Sequence, residues 1–232
     1  MDITGETLAL GLMWYAAFLF STTFHEAAHA WAALRLGDPT AYHGGQVTLN
    51  PIPHIVREPF GTVLVPLLTF FMSGWMMGWA SAPYDPFWAD RYPKRAALMA
   101  LAGPLSNLLI AVLVAVALRW GLTTGALLPP ESLGFSQLVS AADPNSAWGP
   151  LSQLLSILFA LNLLLFTFNL LPLPPLDGSA LPPLVLGDAA GRTYLEFMRE
   201  PMWTIVGILV AWKLIGFIFS PVLTFALGLL YA

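Results

Sequence analysis

Long apolar runs, separated by polar and proline-rich stretches, dominate the pattern of side chains along this chain. A helix needs about 20 consecutive apolar residues to cross a bilayer, and several of the runs reach that length. In order, the runs cover residues 8–36, 61–82, 96–116, 151–171 and 202–232. We therefore predict an all-α polytopic membrane protein with about four to six membrane segments.

The stretch after the first apolar run changes from a helical to an alternating pattern. Gly44-Gly45 precede the alternating residues 46–49, and Asn50-Pro51 end them. Alternation bounded by turn-forming residues is typical of a short β-hairpin. We expect a short, membrane-associated β-hairpin directly after the first helix.

The second apolar run, residues 61–82, is interrupted by Pro66, Ser73-Gly74 and Gly78. These breaks allow the chain to dip into the membrane and return to the same side. Such a re-entrant path brings three polar motifs to one depth: His25 and His29 of the first run, Gly103–Asn107 of the third run, and Asp177 just after the fourth run. We therefore predict that residues 61–82 are re-entrant.

The basic residues agree with a re-entrant path, because that path leaves only Arg119 on one side of the membrane. An excess of Lys and Arg marks the cytoplasmic side, so we expect the N-terminus to lie outside and the polar motifs toward the cytoplasm. The basic residues expected on the cytoplasmic side are Arg35, Arg57, Arg91, Lys94, Arg95, Arg192 and Arg199.

Composition narrows the class of protein further. Of the 232 residues 57% are hydrophobic and 9% are charged, against about 25% charged in soluble domains, which excludes a water-soluble globule. The absence of cysteine excludes disulfides and thiolate zinc sites. A net charge of −4 gives no indication of a basic surface that binds nucleic acid. We expect one membrane-embedded domain over residues 1–232, with a core at about 7–180 and a C-terminal helical segment at 201–232.

A compact polar motif, His25-Glu26-Ala27-Ala28-His29, lies inside the first apolar run. Residues four apart share one face of a helix, so His25 and His29 can bind one metal ion, and imidazole suits zinc. Glu26 can take a proton from a water that the metal activates. Polar side chains are costly inside a membrane and are usually functional. The motif indicates a hydrolytic zinc site; the alternative is a structural polar cluster satisfied by neighbouring helices.

A catalytic zinc site needs a third protein ligand. Asp177 follows the fourth apolar run, where Pro172 and the paired prolines after it forbid a continuing helix. Unwound chain at membrane depth is tolerated where it lines a cavity or is buried in protein, so Asp177 is the leading candidate. Glu196 and Glu200 are the second candidates for this ligand, and His54 and His43 are weaker ones.

The chain resembles the site-2 protease family of intramembrane zinc metalloproteases, in its compact bacterial form without a PDZ domain. The resemblance covers about residues 20–180 in the order of the family's motifs. It departs at Ser179, where many members have a second glycine, but the preceding aspartate is retained. The features that carry it are His25–His29, Ala102–Asn107, Asn169–Pro172 leading to Leu176–Gly178, and Leu49–Pro51 with His54 and Gly61-Thr62.

The resemblance implies a role for each residue of the metal site. His25, His29 and Asp177 would bind one Zn²⁺ per chain, and Glu26 would be the general base. The chain would then be a zinc-dependent endopeptidase that hydrolyses peptide bonds within or near transmembrane segments.

The resemblance also implies which residues meet the substrate. Asn169 and Asn107 would line the substrate cleft. The predicted strand formed by Gly45, Gln46, Val47 and Thr48 would present the substrate in extended form; an ordinary connecting hairpin is the alternative.

The expected partners are the lipid bilayer and a transmembrane protein with a locally unwound helix, for which the family suggests an anti-sigma factor or another membrane regulator. The expected location is a bacterial inner membrane. The main alternative is a non-catalytic scaffold of the same fold that binds membrane helices, although a binding role needs no base at Glu26. A metal transporter and a metalloprotease class with glutamate as third ligand are further alternatives.

Overall fold

The structure, a computed structural model, describes residues 4–232. Most of this chain is helical. In chain order the helices are α1 (Gly5–Leu36), α2 (Thr40–His43), α3 (Pro51–Arg57), α4 (Val65–Ser73), α5 (Pro86–Arg91), α6 (Pro93–Thr123), α7 (Trp148–Asn169), α8 (Pro183–Leu186), α9 (Asp188–Met198) and α10 (Pro201–Tyr231). One turn of π-helix, Phe60–Leu64, runs directly into α4, and one turn of 3-10 helix, Asp177–Ala180, lies between α7 and α8.

Four of the described helices, α1, α6, α7 and α10, are long and apolar enough to cross a membrane. This finding confirms the prediction of a mostly helical, polytopic protein. Several helices begin at a proline, as α6 does at Pro93 and α10 at Pro201. Proline suits the first helical position because the backbone N–H that it lacks has no partner there.

α6 packs between α1 and α7, and these three helices form the centre of the bundle. α10 packs on α7 and, less extensively, on α6. One apolar cluster joins α6, α7 and α10, and includes Leu118, Leu127, Leu138 and Phe159. The polar motifs of the sequence therefore lie on helices that are held by neighbours on more than one side.

α1 ends at a glycine and a buried carboxylate. Gly37 has φ 106°, a left-handed conformation that a residue with a Cβ rarely adopts. The next residue, Asp38, is buried, and its carboxylate accepts hydrogen bonds from the backbone N–H groups of Thr40 (2.9 Å) and Asp85 (2.8 Å). Asp38 thus ties the end of α1 to the chain that precedes α5.

The chain around α4 turns back on itself. Residues 74–85 form no regular helix, and they run back along α4, because the Trp79 N–H donates to the Gly61 carbonyl over 3.1 Å. Ser81 Oγ then donates to Glu58 Oε1 over 2.6 Å. The chain therefore leaves Glu58, passes through α4 and returns to Glu58, which is the path that a re-entrant segment requires. The position of this segment in a membrane stays a prediction.

The β-hairpin that we expected after α1 is not formed there. Residues 45–49, all of which the structure describes, make turns and bends. The Gln46 N–H donates to the Ala41 carbonyl over 2.9 Å, so the segment begins with a hydrogen bond back to the end of α2. No second strand lies beside residues 45–49. The short sheet forms elsewhere, between α6 and α7: β1 (Leu127–Leu128) pairs antiparallel with β2 (Ser140–Ala141).

Candidate metal centre

His25 and His29 lie on one face of α1 and point to the same place. Both residues are buried, and each has 7% of its surface exposed. Their Nε2 atoms are 3.0 Å apart. The spacing of four residues thus places two imidazole nitrogens side by side, as the helical periodicity predicted.

Asp177 comes to the two histidines from the chain after α7. Its Oδ2 lies 3.1 Å from His25 Nε2, and its Oδ1 lies 3.3 Å from His29 Nε2. The next residue, Gly178, permits this approach, because a Cβ there would lie 2.4 Å from the carbonyl oxygens of Leu170 and Leu171. The lack of a side chain at Gly178 lets the 3-10 turn pack against the end of α7.

The surroundings keep the Asp177 carboxylate ionised. Burial alone would raise the pKa of Asp177, but the neighbouring His29 and His25 outweigh burial and hold that pKa well below its ordinary value. An ionised carboxylate is the form that binds metal.

The outer ring nitrogens of both histidines are already occupied. His29 Nδ1 lies 2.8 Å from the Met99 carbonyl oxygen, and His25 Nδ1 lies 2.6 Å from Asn107 Oδ1. Both oxygens only accept, so each Nδ1 carries a hydrogen, and in the neutral form of each ring Nε2 has a free lone pair. Two Nε2 atoms and a carboxylate therefore meet at one point, where either protons on the rings or a bound metal ion can balance the carboxylate charge.

The donor set fits zinc. Zinc bonds of about 2.0–2.1 Å at tetrahedral angles place ligand atoms about 3.3–3.4 Å apart, close to the separations given above. Two imidazoles and one carboxylate are a catalytic type of ligand set that keeps a fourth position open. Among residues 4–232, His25, His29 and Asp177 are the one group of three such side chains close enough to hold a metal ion.

α6 closes the other side of the centre with a glycine. A Cβ at Gly103 would lie 2.3 Å from His29 Nε2 and 2.6 Å from His25 Nε2. Any side chain at this position would therefore overlap the metal-binding atoms. The close helix approach at Gly103 leaves room for an ion.

Glu26 is buried, with 7% of its surface exposed. Within the described chain no residue forms a hydrogen bond with its carboxylate. A buried carboxylate needs a hydrogen-bonding partner, and a water in the metal centre would supply one. This is the environment expected of a general base.

Two of the residues predicted to meet the substrate line a groove beside the centre. Val47 and Thr48 face Ala27 and Ala28 of α1 across a cavity of about 280 Å³. Ala27 and Ala28 lie between the two histidines in sequence, so the groove passes next to the metal-binding turn of α1.

The neighbouring residues of the predicted strand do not line that groove. Gly45 lies at a turn with φ 70°, and Gln46 is buried. His54, which was a weaker candidate, is buried under this segment, and its Nε2–H donates to the Thr48 carbonyl over 3.1 Å. His54 therefore holds the loop in place and lies outside the metal-binding group, as do His43, Glu196 and Glu200.

The two asparagines assigned to the substrate cleft have internal partners. Asn169 Nδ2 donates to the Leu165 carbonyl of its own helix over 3.0 Å. Asn107 is fully buried and bonds His25, so the structure gives it a ligand-orienting position in place of the predicted substrate contact. These contacts depend on how the helices are rotated, which the resemblance did not specify.

Sequence reasoning missed three parts of the centre. The Met99 carbonyl is a backbone group and leaves no signal in the sequence. Asn162 and Ser21 form a hydrogen bond of 2.8 Å. The sequence could have indicated both residues, since both are polar residues within apolar helices.

Comparisons with known proteins agree with the geometry. Residues 13–214 match the sequence model of peptidase family M50. YwhC of Bacillus subtilis, which is named as a candidate zinc metalloprotease, is 38% identical over 172 residues, covering 73% of this chain and 68% of YwhC. No solved structure gives a significant match.

Mycobacterial relatives match less closely. Rip2 of Mycobacterium tuberculosis is 31% identical over 186 residues, or 77% of this chain and 61% of Rip2. Rip2 of Mycolicibacterium smegmatis is 29% identical over 163 residues, or 70% of this chain and 53% of Rip2. Both carry names of candidate zinc metalloproteases, and the match spans only about half to two thirds of their length.

The family model matches most of the chain, including the helices that carry His25, His29 and Gly103. Zinc is the metal of this family, and the buried cluster of two histidines and an aspartate is suited to hold it. This chain belongs to peptidase family M50, the site-2 protease family of zinc metalloproteases.

Proposed function

We propose that this chain is a membrane-embedded zinc endopeptidase that hydrolyses peptide bonds within or near the transmembrane segments of other membrane proteins. The observation that carries the proposal is the convergence of His25, His29 and Asp177, beside Glu26, in a buried site on apolar helices. A metal site at such a place, with a free carboxylate next to it, suits hydrolysis where bulk water is scarce.

The residues divide the chemistry among them. His25, His29 and Asp177 hold the zinc, which when bound polarises a carbonyl and acidifies water. Glu26 takes the proton of the attacking water and passes it to the leaving nitrogen of the cleaved peptide. Met99 and Asn107 keep the imidazoles oriented through the outer nitrogens.

The segment 46–49 presents the substrate. A helical substrate hides its carbonyls in its own hydrogen bonds, so it must be extended at the cleaved bond. The backbone N–H groups of Val47 and Leu49 have no hydrogen-bond partner within residues 4–232, and Val47 and Leu49 line the groove next to α1. Free backbone groups along a groove support pairing with an extended peptide by strand addition.

The membrane arrangement follows from the path of the chain. We place residues 61–82 as a re-entrant segment, the N-terminus outside and the metal centre toward the cytoplasmic side of a bacterial inner membrane. The return of the chain to Glu58 supports the re-entrant path, and the uneven distribution of basic residues supports the orientation. Residues 1–232 would act as one domain, on a substrate such as an anti-sigma factor or another membrane regulator.

Zinc content tests the site directly. Wild type should contain about one zinc per chain after purification in detergent, and His29→Ala and Asp177→Ala should contain much less. Glu196→Gln is the matched control, because Glu196 is a carboxylate outside the group, and it should keep the metal. Loss of zinc in Glu196→Gln with retention in Asp177→Ala would contradict the assignment of ligands.

Cleavage tests the role of the base. Glu26→Gln should retain zinc and lose cleavage of tagged single-span membrane proteins in liposomes by a factor of about 10²–10⁴. A wild-type protein that is folded, is prepared under metal-replete conditions and still contains no zinc would favour the scaffold alternative instead.

A further inference from the structure

A row of buried hydrogen bonds runs from α7 through α6 to the metal-binding face of α1. Asn162 in α7 and Asn107 in α6 are both 0% exposed. Asn107 Nδ2 donates to Asn162 Oδ1 over 2.8 Å, and His25 Nδ1 donates to Asn107 Oδ1 over 2.6 Å. The row joins the three central helices and ends on a zinc ligand.

At the α7 end of this row, the neighbours of Asn162 decide which atom of its amide donates and which accepts. Asn162 Nδ2 uses both hydrogens, on the Leu158 carbonyl and on Ser21 Oγ, each over 2.8 Å. Ser21 Oγ gives its own hydrogen to the Ala17 carbonyl over 2.7 Å, so it accepts from Asn162. Reversing the Asn162 amide would set its oxygen 2.8 Å from the Leu158 carbonyl oxygen with no hydrogen between them.

The fixed amide of Asn162 in turn fixes the amide of Asn107. Because Asn162 presents Oδ1, Asn107 must present its NH₂ group, and its second hydrogen goes to the Ser21 carbonyl over 3.3 Å. Asn107 Oδ1 is then the atom that faces His25, and only a hydrogen on Nδ1 satisfies it. A neutral imidazole with its hydrogen on Nδ1 keeps the Nε2 lone pair that binds metal.

We propose that Asn162 is a positioning residue that acts through Asn107 to hold His25 in the tautomer with a free Nε2 for zinc. The proposal rests on the zinc site proposed above. With the row reversed, His25 would carry its hydrogen on Nε2, pointing at the other ligands, and metal binding would have to displace that hydrogen. Asn162 thus orients the zinc ligand His25 through Asn107, without contacting His25 itself.

A buried asparagine pair can also act simply by joining two membrane helices. In that role Asn162 would contribute to the stability of the bundle, and any effect on zinc would follow the loss of stability, as it would at another buried polar residue of α7. The two roles therefore differ in whether zinc affinity falls by more than the loss of stability explains, and the coupling between Asn162 and Asn107 shows in addition that the effect runs through Asn107.

A double-mutant cycle measures this coupling. Zinc affinity is determined by competition with a chelator for wild type, Asn162→Leu, Asn107→Leu and the double variant in detergent. We expect Asn162→Leu to weaken zinc binding about 10-fold and Asn107→Leu to weaken it about 10- to 100-fold. In the Asn107→Leu background, Asn162→Leu should cause no further loss.

Ser156→Ala is the matched control. Ser156 lies in the same helix and is also 0% exposed, but its hydroxyl bonds the Ser152 carbonyl and the Leu138 N–H, which do not lead to His25. This variant should lose thermal stability and keep wild-type zinc affinity. Where Asn162→Leu does not fold, Asn162→Ala, which leaves space for a water, should show weaker zinc binding in its place.

Three results would overturn the proposal: unchanged zinc affinity in the folded Asn162 variant, equal losses in both backgrounds, or an equal loss in Ser156→Ala. A wild-type protein that binds no zinc at all would overturn the proposed function as well. Zinc binding in wild type therefore separates failure of the proposed function from failure of this inference.

Discussion

α7 and α10 are both apolar enough to cross a membrane, yet their surroundings differ. In the most apolar stretch of α7 50% of the residues are buried, against 17% in α10. The polar residues Ser156 and Asn162 of α7 are buried and hydrogen-bonded, whereas Lys213 and Thr224 of α10 are exposed. Apolarity therefore identifies a membrane helix but does not tell whether its polar residues build a site or face outward.

α10 is nevertheless fixed to the bundle at a few points. Gly207 lies against the Pro174 carbonyl, where an added Cβ would be 1.9 Å from the oxygen. Near its other end, the Leu230 carbonyl accepts a hydrogen bond from Arg119 of α6 over 3.0 Å. The contrast between the two helices predicts that most of α10 tolerates change and that these contacts do not.

The largest effect is expected in α6 at the centre of the bundle. Gly103→Ala would place a methyl group 2.3 Å from His29 Nε2, so the ligands must move. Overpacking of this kind costs about 1–3 kcal/mol, and we expect zinc affinity to fall about 10- to 100-fold. Chelator competition measures the loss, and wild-type affinity in this variant would mean that α6 does not close the metal centre.

A smaller effect is expected where α10 meets the chain that leads to Asp177. Gly207→Ala should lower the free energy of unfolding by about 1–3 kcal/mol, because the Pro174 carbonyl cannot accommodate a Cβ. We expect zinc affinity to fall only a few-fold, since the clash lies three residues before the ligand. Thermal unfolding followed by circular dichroism, together with zinc competition, measures both. Equal sensitivity at Gly207 and Gly103 would remove the contrast between α10 and the central helices.

Ser156→Ala in α7 should cost about 1–2 kcal/mol of stability, because the variant leaves the buried N–H of Leu138 without its acceptor. Thr224→Ala in α10 is the paired variant. The Thr224 hydroxyl bonds only the Ser220 carbonyl of its own helix and is exposed, so we expect a change of less than about 0.5 kcal/mol. Thermal unfolding of both variants in one detergent gives the comparison, and a reversed order would contradict it.

A small effect is also expected at Gly216 in α10. A Cβ added there meets no atom within 4 Å, so Gly216→Ala should change stability by no more than about 1 kcal/mol and leave zinc content unchanged. A larger loss in the purified protein would show that this face of α10 packs against another chain.

The metal centre could be predicted from sequence because its parts leave strong local signals. His25 and His29 are four apart in an apolar run, and Asp177 follows prolines that unwind the chain. These features can be recognised without knowing how the helices pack, because helix periodicity and proline breaks are local properties of the sequence.

The hairpin and the substrate residues were harder to predict. Alternation at residues 46–49 predicted a strand, but a strand needs a partner, and the only strand pair in residues 4–232 formed between Leu127–Leu128 and Ser140–Ala141. The partners of Asn107 and Asn169 depend on the rotation and height of neighbouring helices. Those quantities are set by packing over the whole bundle and leave no local pattern.

The distance along the chain between the ligands has a consequence for biosynthesis. His25 and Asp177 are 152 residues apart, with two long apolar helices between them, so a nascent chain that ends before Asp177 offers only two of the three ligands. Two ligands are too few for a catalytic zinc site. If the proposed function holds, hydrolytic activity is therefore withheld until most of the chain has been synthesised, because the third ligand is missing before then.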